Sequence, residues 1–257
     1  MFDLLRARWR QGTRTIAFPP GEAALPERFR GRPSLDPDHT GEARSIPSAV
    51  LTATPDGRPA LDAGACLFAP EEAGETPAGT IAFSRDYRLA SSTRKGLVSA
   101  SGEIELAQAL DERTRRLFGR SLRLRSVAAG SCGGCELELV ALGNVLFDLA
   151  RFGVQFVASP RHADGLVITG AVSRNMRAAL DKTYEATPEP RIVIAVGACA
   201  IDGGPFRGSP EVAGGVPPGL PVDLYVPGCP PHPLTLLDGL LRLLGRLPRE
   251  RLPAPAR

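Results

Sequence analysis

The second half of this 257-residue sequence predicts an α/β domain with a doubly wound parallel sheet. From residue 121 onward, short apolar stretches alternate with segments whose apolar residues recur at helical spacing. The stretch Arg191 to Val196 carries isoleucine and valine on both faces, as the central strands of parallel sheets do. Cysteines follow three of the predicted strands, and doubly wound sheets bind ligands outside the carboxyl ends of their strands. The pattern therefore predicts a sheet with one binding site at its edge.

The elements of this domain are predicted from periodicity and from the residues at their ends. Strands are predicted at Leu122 to Val127, Val154 to Ala158, Gly165 to Gly170, Arg191 to Val196 and Val222 to Val226. Helices are predicted at Leu137 to Phe152, Arg174 to Glu185 and Leu234 to Leu247. Gly153 is expected to end the first of these helices, because glycine is common just after a helix.

The first 30 residues are predicted to form an N-terminal arm. Met1 to Arg10 could form a short amphipathic helix, with Leu4, Leu5 and Trp9 on one side and arginines on the other. Prolines at positions 19, 20 and 26 favour an extended chain after it. Two interpretations stay open. The arm is either solvated, or it is a strap that docks onto a partner subunit, which could itself touch the membrane.

Residues 31–90 are rich in proline, glycine and alanine and contain two similar units. The first runs from Leu35 to Leu51 and the second from Leu61 to Ile81, with Asp56-Gly57 as a turn between strands. The second unit resembles one half of a bacterial two-cluster ferredoxin, whose ligands follow the run C-x2-C-x2-C-x3-C-P. Cys66 would be the first ligand of that run.

The remaining positions of the ferredoxin run match only in part. Pro77, Gly79 and Ile81 fit, but Ala69, Glu72 and Thr76 stand where three more cysteines are needed. Because one thiolate cannot hold a cubane cluster, Cys66 is predicted not to be a ligand. The segment is therefore interpreted as a ferredoxin-like module without clusters, and the alternative is a Pro/Gly-rich linker.

Residues 91–120 are predicted to form a helical linker. Its helix is placed at Ser101 to Arg120, where Ile104, Leu106, Leu110 and Leu117 give an approximate apolar face. Gly119 suits the end of that helix.

Four cysteines of the α/β half are candidate ligands of one inorganic centre. They are Cys132 and Cys135 in G-S-C-G-G-C-E, Cys199 in V-G-A-C-A and Cys229 in P-G-C-P-P. Four thiolates are the ligand set of a tetrahedral zinc ion or of a cubane iron–sulfur cluster. Glycine neighbours favour the cluster, because they allow close backbone approach with N–H groups aimed at the sulfides. The alternative is four unrelated structural cysteines.

Composition excludes several classes of protein. Five cysteines are too few and too unevenly placed for a disulfide framework, which indicates a reducing compartment. No apolar run reaches the roughly 18 residues that span a bilayer, and the first 15 residues lack a secretory apolar core. A net charge of +3 is too small to indicate nucleic-acid binding. The glycine-rich turn at Gly130 to Gly134 does not match the dinucleotide fingerprint. The chain is thus expected to be soluble by itself.

From about Ser126 to Leu244 the sequence resembles a small iron–sulfur subunit that complex I and the membrane-bound energy-converting [NiFe] hydrogenases share. In complex I it is the 20 kDa subunit. The resemblance rests on the cysteine motifs and on the runs Ser159 to Asp164, Thr169 to Met176 and Tyr225 to Pro231. It implies a flavodoxin-like domain in which Cys132, Cys135, Cys199 and Cys229 bind one [4Fe-4S] cluster. It also implies a large catalytic partner subunit, hydrogenase-like or 49 kDa-like, and membrane subunits that hold the chain peripherally on the cytoplasmic face of the cell membrane.

Details of the resemblance favour one branch of this family. Complex I members carry adjacent cysteines at the first site, whereas Gly133 and Gly134 separate Cys132 from Cys135 here. This spacing, together with His162, resembles the formate hydrogenlyase and hydrogenase-4 type, and residues 31–90 resemble the ferredoxin subunit of those complexes. The implied function is an electron relay in a hydrogenase-like oxidoreductase complex. A complex I type relay that passes electrons to quinone is the alternative, and a non-redox structural subunit is a second alternative.

Three further residues receive candidate roles beside the cluster. By resemblance, Glu138 faces the large subunit and could carry protons; otherwise it is a carboxylate stabilised by a helix dipole. Arg161 could stabilise the reduced cluster through hydrogen bonds, or form an ion pair at an interface. His162 could titrate near neutral pH, or be a hydrogen-bonded loop residue. The predicted parts of the chain are the arm (1–30), the degenerate ferredoxin-like module (31–90), the helical linker (91–120) and the cluster-binding α/β domain (121–257).

Overall fold

The computed structural model describes residues 2–19, 25–36, 49–53, 57–69, 79–100 and 102–252. Its strands are β1 (Pro33–Leu35), β2 (Leu51–Ala53), β3 (Pro59–Asp62), β4 (Ile81–Phe83), β5 (Val98–Ser99), β6 (Ile104–Glu105), β7 (Leu122–Ala128), β8 (Val154–Phe156), β9 (Gly165–Thr169), β10 (Ile192–Val196), β11 (Leu224–Val226) and β12 (Arg251–Leu252). Its α-helices are α1 (Phe2–Gln11), α2 (Glu112–Phe118), α3 (Gly134–Ala141), α4 (Arg174–Ala186), α5 (Ala198–Asp202) and α6 (Pro233–Leu243).

A five-stranded parallel sheet forms the centre of the second half. Its strand order is β11-β10-β9-β7-β8, and every neighbouring pair is parallel. Numbered from the first strand of the domain, this is the order 2-1-3-4-5 of flavodoxin-like sheets, so the predicted fold class is confirmed. All residues of β9 and β10 are buried, which explains why both stretches are apolar on both faces.

Side chains alternate between the two faces of this sheet, and helices cover both faces. On one face, Ile192 and Ile194 belong to a core that includes the leucines of α6, all of whose residues are buried. On the other face, Val193 packs in a core with Leu180 of α4. The helices α4 and α6 confirm the predictions for Arg174 to Glu185 and for most of Leu234 to Leu247.

The N-terminal segments form two small antiparallel sheets. β1 pairs with β4, while β2, β3 and β5 form the second sheet. The strand at the start of the first predicted unit (β1) thus pairs with the strand at the end of the second (β4). The strand at the end of the first unit (β2) pairs with the strand at the start of the second (β3). Gly57 lies in the turn between β2 and β3, whereas Asp56 and residues 70–78 with Glu72, Thr76 and Pro77 lie outside the described residues. The ferredoxin-like origin of this module stays a prediction.

Backbone pairing and ion pairs join these segments to the α/β domain. Ser91 and Tyr225 form an antiparallel bridge beside β11. Arg94 donates two hydrogen bonds to the carboxylate of Asp62, at 2.7 and 2.5 Å, and one at 3.4 Å to Asp202 at the end of α5. Arg94 therefore connects β3 to the helix that carries Cys199.

The predicted helix from Ser101 to Arg120 is wrong over most of its length. Ser101 lies outside the described residues, and Ile104 belongs to β6, which pairs with β12 near the C-terminus. The pairing of Ile104 with Leu252 overrides the local helical periodicity, so the linker is mostly extended. Among residues 102–120 the one helix is α2, and a 3-10 helix, Lys95–Leu97, lies earlier in the linker. The Asp111 carboxylate caps α2 by accepting from the Thr114 N–H at 3.0 Å, and Gly119 follows its end as predicted.

The predicted helix from Leu137 to Phe152 is also too long. It begins at Gly134 and ends at Ala141, where Asn144 competes with the helix. The Asn144 side chain accepts hydrogen bonds from the backbone N–H groups of Leu146 and Phe147, at 2.8 and 3.1 Å. The chain then forms a separate 3-10 helix, Leu149–Phe152, which Gly153 follows.

Two shorter predictions have mixed outcomes. The strand predicted at Val154 to Ala158 is the edge strand β8, in which Val154 alone is buried. The N-terminal helix is confirmed as α1, although Met1 and Pro20 lie outside the described residues. Across the described ranges, no helix combines the length and the apolar character that crossing a bilayer requires.

Candidate metal centre

The four candidate ligands lie on three loops at one edge of the parallel sheet. Cys132 and Cys135 follow β7, Cys199 lies in α5 directly after β10, and Cys229 follows β11. Because all these strands run in the same direction, their carboxyl ends meet at the same edge. The topology therefore brings together residues that are up to 97 positions apart (229 minus 132).

The thiols are close enough to affect one another electrostatically. Burial raises the pKa of Cys135 well above its usual range, and Glu136 and the thiols of Cys199, Cys229 and Cys132 raise it further. Burial, followed by Cys229 and Cys132, raises the pKa of Cys199 to about 11. Four thiolates would repel one another at this edge, and bound cations would remove that repulsion.

The backbone of Gly197 packs directly against the buried thiol of Cys135. A Cβ atom at this position would lie 2.5 Å from the Sγ atom of Cys135, and the backbone φ of +86° favours glycine. The N–H of Gly197 donates to the carbonyl of Val226 at 2.9 Å, and the N–H of Ala198 donates to the carbonyl of Gly228 at 2.9 Å. These two bonds hold the Cys199 loop against the Cys229 loop.

A buried carboxylate lies behind the first cysteine loop. The Oε1 atom of Glu136 accepts hydrogen bonds from the hydroxyls of Ser131 and Thr169. Its Oε2 atom is buried without a hydrogen-bond partner in the described part of the chain. Sequence reasoning missed the role of Thr169, although its place at the carboxyl end of β9 was a usable signal.

The four thiols differ in their access to solvent. Cys135 is buried and Cys199 is half-buried, whereas Cys132 and Cys229 are exposed. Large apolar side chains on α3 and on the segment that follows it are exposed as well, and we call them the apolar rim: Leu137, Val140, Val145 and Leu146. Exposed thiols and exposed apolar side chains thus occur close together in this part of the chain, as they do at interfaces.

A cavity of about 230 Å³ lies next to the Cys229 loop. Glu138, Phe29, Pro230 and His232 are among the residues that line it. Burial raises the pKa of Glu138, and burial lowers the pKa of His232. The Nδ1 atom of His232 caps α6 by accepting from the N–H of Leu234 at 3.1 Å. Glu138 therefore lies near the loop that carries Cys229, while its place beside a cluster and its proton-carrying role stay predictions.

The other candidate residues lie on elements that carry none of the four thiols. Arg161 and His162 are exposed on the 3-10 helix Pro160–His162, which follows the edge strand β8, and their roles stay predictions. Cys66 is fully buried in the core of the N-terminal sheets, where its sulfur accepts from the Phe68 N–H at 3.3 Å. It is absent from the groups that raise the pKa of Cys135.

The donor set of four thiols fits both a cubane iron–sulfur cluster and a tetrahedral zinc ion. Among the described residues, no three histidine, cysteine, aspartate or glutamate side chains are gathered tightly enough to hold one metal ion. A tetrahedral zinc would need every sulfur about 2.3 Å from one point. A cubane cluster instead takes one thiolate on each of its four iron atoms.

Comparisons with known proteins match the part of the chain that carries these cysteines. Residues 132–243 match the family model described as NADH ubiquinone oxidoreductase, 20 Kd subunit. The chain is 43% identical over 132 residues to the probable membrane-bound hydrogenase subunit mbhJ of Pyrococcus furiosus, which covers 51% of this chain and 79% of that protein. It is 45% identical over 131 residues to formate hydrogenlyase subunit 7 of Escherichia coli, covering 51% of each chain.

A complex I protein and a solved structure each match about half of this chain. The chain is 48% identical over 114 residues to an NADH-quinone oxidoreductase subunit of Heliobacterium modesticaldum, covering 44% of this chain and 65% of that one. A chain in the structure of a membrane-bound sulfane sulfur reductase, an archaeal respiratory membrane complex, has 31% identity and a TM-score of 0.46, covering 53% of this chain and 75% of that one. From these sequence matches, the chain belongs to the NADH ubiquinone oxidoreductase 20 kDa subunit family.

Proposed function

We propose that this chain is the electron-relay subunit of a membrane-associated, hydrogenase-like oxidoreductase complex. It carries one [4Fe-4S] cluster on Cys132, Cys135, Cys199 and Cys229 and is not catalytic alone. The observation that carries the proposal is the convergence of four thiols from three loops at one edge of the sheet, inside the family-matched segment. When bound, such a cluster takes up and releases single electrons.

Cluster binding on this chain would be coupled to the loss of protons from the thiols. The pKa values of Cys135 and Cys199 are raised, so both are protonated at neutral pH without a cation nearby. Metal binding must displace these protons, because the thiolate is the ligand. We therefore expect cluster assembly on this chain to be slower at acidic pH.

The apolar rim supports a large catalytic partner subunit. Leu137 and Val140 are 71% and 74% exposed on α3, the helix that begins beside Cys132 and carries Cys135. Apolar side chains in such a patch are normally covered by a partner. A hydrogenase-like or 49 kDa-like subunit on this face would lie next to the proposed cluster, where electrons must pass.

Identity alone does not separate the hydrogenase branch from the quinone branch. Relatives named as hydrogenase or hydrogenlyase subunits are 43–45% identical, and the NADH-quinone oxidoreductase relative is 48% identical. The two residues between Cys132 and Cys135 favour the hydrogenase branch. The complex I type relay, which passes electrons to quinone, is the second candidate. In either case the membrane subunits of the complex hold this chain at the cytoplasmic face of the membrane.

Metal analysis and spectroscopy of the anaerobically purified full chain test the proposal. We expect four iron and four sulfide per chain, a broad visible band, and an EPR signal after reduction. Stoichiometric zinc, or no metal with silent spectra, would show the non-redox structural alternative instead. Two or three clusters per chain would show that the N-terminal module binds clusters after all.

Purification with candidate large subunits tests the partner. We expect the chain to copurify with a large subunit, and Leu137→Asp to abolish copurification while the iron content stays unchanged. Nickel in that large subunit indicates the hydrogenase branch, and its absence together with quinone reductase activity indicates the complex I branch.

A further inference from the structure

The N-terminal helix α1 buries none of its residues against the rest of the described chain. Phe2, Leu4, Leu5 and Trp9 are 84%, 76%, 63% and 90% exposed. Four large apolar side chains in ten residues are costly to leave in water. A helix of this kind is expected to lie against another surface.

The side chains of α1 are arranged as a narrow apolar stripe with arginine on both sides. Phe2, Leu5 and Trp9 are spaced i, i+3 and i+7, so they share one face of the helix. At about 100° per residue, Arg6 lies on one flank of this stripe and Arg8 on the other. The opposite face carries Asp3, Ala7 and Gln11 together with one large apolar residue, Leu4, which therefore does not share the face of Leu5 and Trp9.

We propose that α1 is an in-plane anchor that binds the surface of an anionic lipid membrane. The apolar stripe enters the boundary between headgroups and acyl chains, and the flanking arginines reach lipid phosphates while their apolar stems cover the stripe. This goes beyond the proposed function, because it gives the chain a membrane contact of its own rather than one made through partner subunits.

Charge complementarity favours lipid over a protein groove. The helix carries three arginines and one aspartate, and Arg6 and Arg8 lie on opposite flanks. A protein groove would need acidic groups on both of its walls at matching positions, whereas an anionic bilayer presents phosphates on every side. Arginine also suits phosphate, because its planar guanidinium can donate two parallel hydrogen bonds.

A short tether holds the anchor close to the α/β domain. The N–H of Ile16 donates to the carbonyl of Leu146 at 3.0 Å, and the Thr15 hydroxyl donates to the carbonyl of Val145 at 2.9 Å. Arg151 donates to the carbonyl of Ile16 at 3.0 Å. Only residues 12–14 separate α1 from these contacts, so a bound helix would keep the segment that carries Val145 and Leu146 near the lipid surface.

The single tryptophan of the chain makes this proposal directly measurable, since Trp9 lies on the apolar stripe. The full chain with an untagged N-terminus is mixed with vesicles of phosphatidylcholine, with or without phosphatidylglycerol. We expect Trp9 emission to shift to the blue, and brominated acyl chains to quench it, with the anionic vesicles only. High salt should reduce binding, because surface charges are screened.

Matched variants identify the face and the charges that bind. Leu5→Asp and Ala7→Asp make the same change of charge on opposite faces; we expect the first to abolish vesicle binding and the second to weaken it only modestly. Arg6→Gln combined with Arg8→Gln, which removes both flanking arginines, should weaken binding about 30-fold, from about 1 kcal/mol for each arginine. The iron content of all variants should equal that of the wild type, so a failed cluster and a failed anchor give different results.

Several outcomes would overturn the anchor. They are an unchanged wild-type emission, equal binding to neutral vesicles, or equal loss of binding in the two aspartate variants. A blue shift that needs an added large subunit instead of lipid would assign α1 to a protein partner. Brominated lipid should quench the Trp9 emission of the wild-type chain itself. This measurement needs no variant, so the result does not depend on whether a variant folds.

Discussion

The Cα atom of Gly197 faces the Sγ atom of Cys135 so closely that a Cβ atom at position 197 would lie only 2.5 Å from the sulfur. The two residues come from different loops, after β10 and after β7. Gly197 also has a φ of +86° and donates its N–H to Val226. One small residue thus makes room for the buried thiol of Cys135 and fixes the loop that leads to Cys199.

Gly197→Ala should strongly reduce the iron content of the chain, because the new methyl group displaces the Cys135 sulfur. The matched control is Gly208→Ala, where φ is also positive, at +78°, but no atom lies within 4 Å of the added methyl group. A positive φ strains the backbone in both variants, and Gly197 in addition has a ψ of 158°, a conformation essentially restricted to glycine. Iron and sulfide analysis after anaerobic purification compares them; equal iron content in the two variants would show that the contact with Cys135 does not matter.

Cys199→Ser should abolish the cluster or convert it to a form with fewer irons, since the hydroxyl replaces one of four thiolates. Cys66→Ser is the matched control, because Cys66 is fully buried in a different core. We expect it to keep the wild-type iron content and to lower the free energy of unfolding by about 1 to 3 kcal/mol, the cost of a hydroxyl in an apolar core. EPR and iron analysis decide; a loss of iron in Cys66→Ser would mean that the N-terminal module takes part in metal binding.

The sequence predicts the sheet well because burial on both faces leaves a simple signature. β9 and β10 are continuous apolar runs bounded by glycine or proline-rich turns, and no local alternative competes with them. The stretch around Ile104 shows the opposite case. Its apolar residues have helical spacing, but the pairing of Ile104 with Leu252 decides its structure. That partner lies at the far end of the sequence, so a local pattern cannot reveal it.

The candidate site likewise has parts that a sequence pattern predicts and parts that it does not. The four cysteines are predictable, because thiols after parallel strands must meet at one edge of the sheet. The hydrogen bonds from Ser131 and Thr169 to Glu136 are not, because short polar side chains have no distinctive spacing. The same is true of the edge contact between the rings of Phe29 and His232, which joins the N-terminal arm to the loop after Cys229.

A buried ion pair in α6 makes a prediction for stability. Asp238 and Arg242 are 2% and 4% exposed, and the Arg242 Nε atom donates to the Asp238 carboxylate at 2.9 Å. Asp238→Asn leaves a buried guanidinium without its closest counter-charge, so the free energy of unfolding should fall by about 3 kcal/mol. Urea unfolding followed by circular dichroism measures this change.

The control for that buried ion pair is an exposed ion pair with the same spacing of four residues. Glu112 and Arg116 of α2 are also four residues apart, but their side chains are 69% and 77% exposed. Glu112→Gln should leave the unfolding midpoint almost unchanged, because exposed pairs contribute little. If both variants were equally destabilised, the argument from burial would be wrong.

His232 predicts how stability depends on pH. Burial lowers its pKa, and its Nδ1 atom accepts the hydrogen bond that caps α6, which requires the neutral ring. The unfolded chain therefore binds a proton more readily than the folded chain. His232 makes its full contribution to the free energy of unfolding above the ordinary histidine pKa of about 6.5. That contribution is lost as the pH falls below this value.

Urea unfolding of the metal-free chain between pH 7.5 and 5.5 measures this loss. His232→Asn keeps an acceptor for the cap but cannot be protonated, so it should flatten the decline in stability toward acidic pH. His162→Asn is the matched control, because His162 is exposed and should leave the decline unchanged. Glu138 lines the same cavity, and burial raises its pKa. Its effect on the free energy of unfolding has the opposite sign, because the protein loses stability as this carboxylate ionises with rising pH. That loss falls mainly below the pH range of histidine titration. A decline of the same steepness in wild type and His232→Asn would show that another group controls the pH dependence.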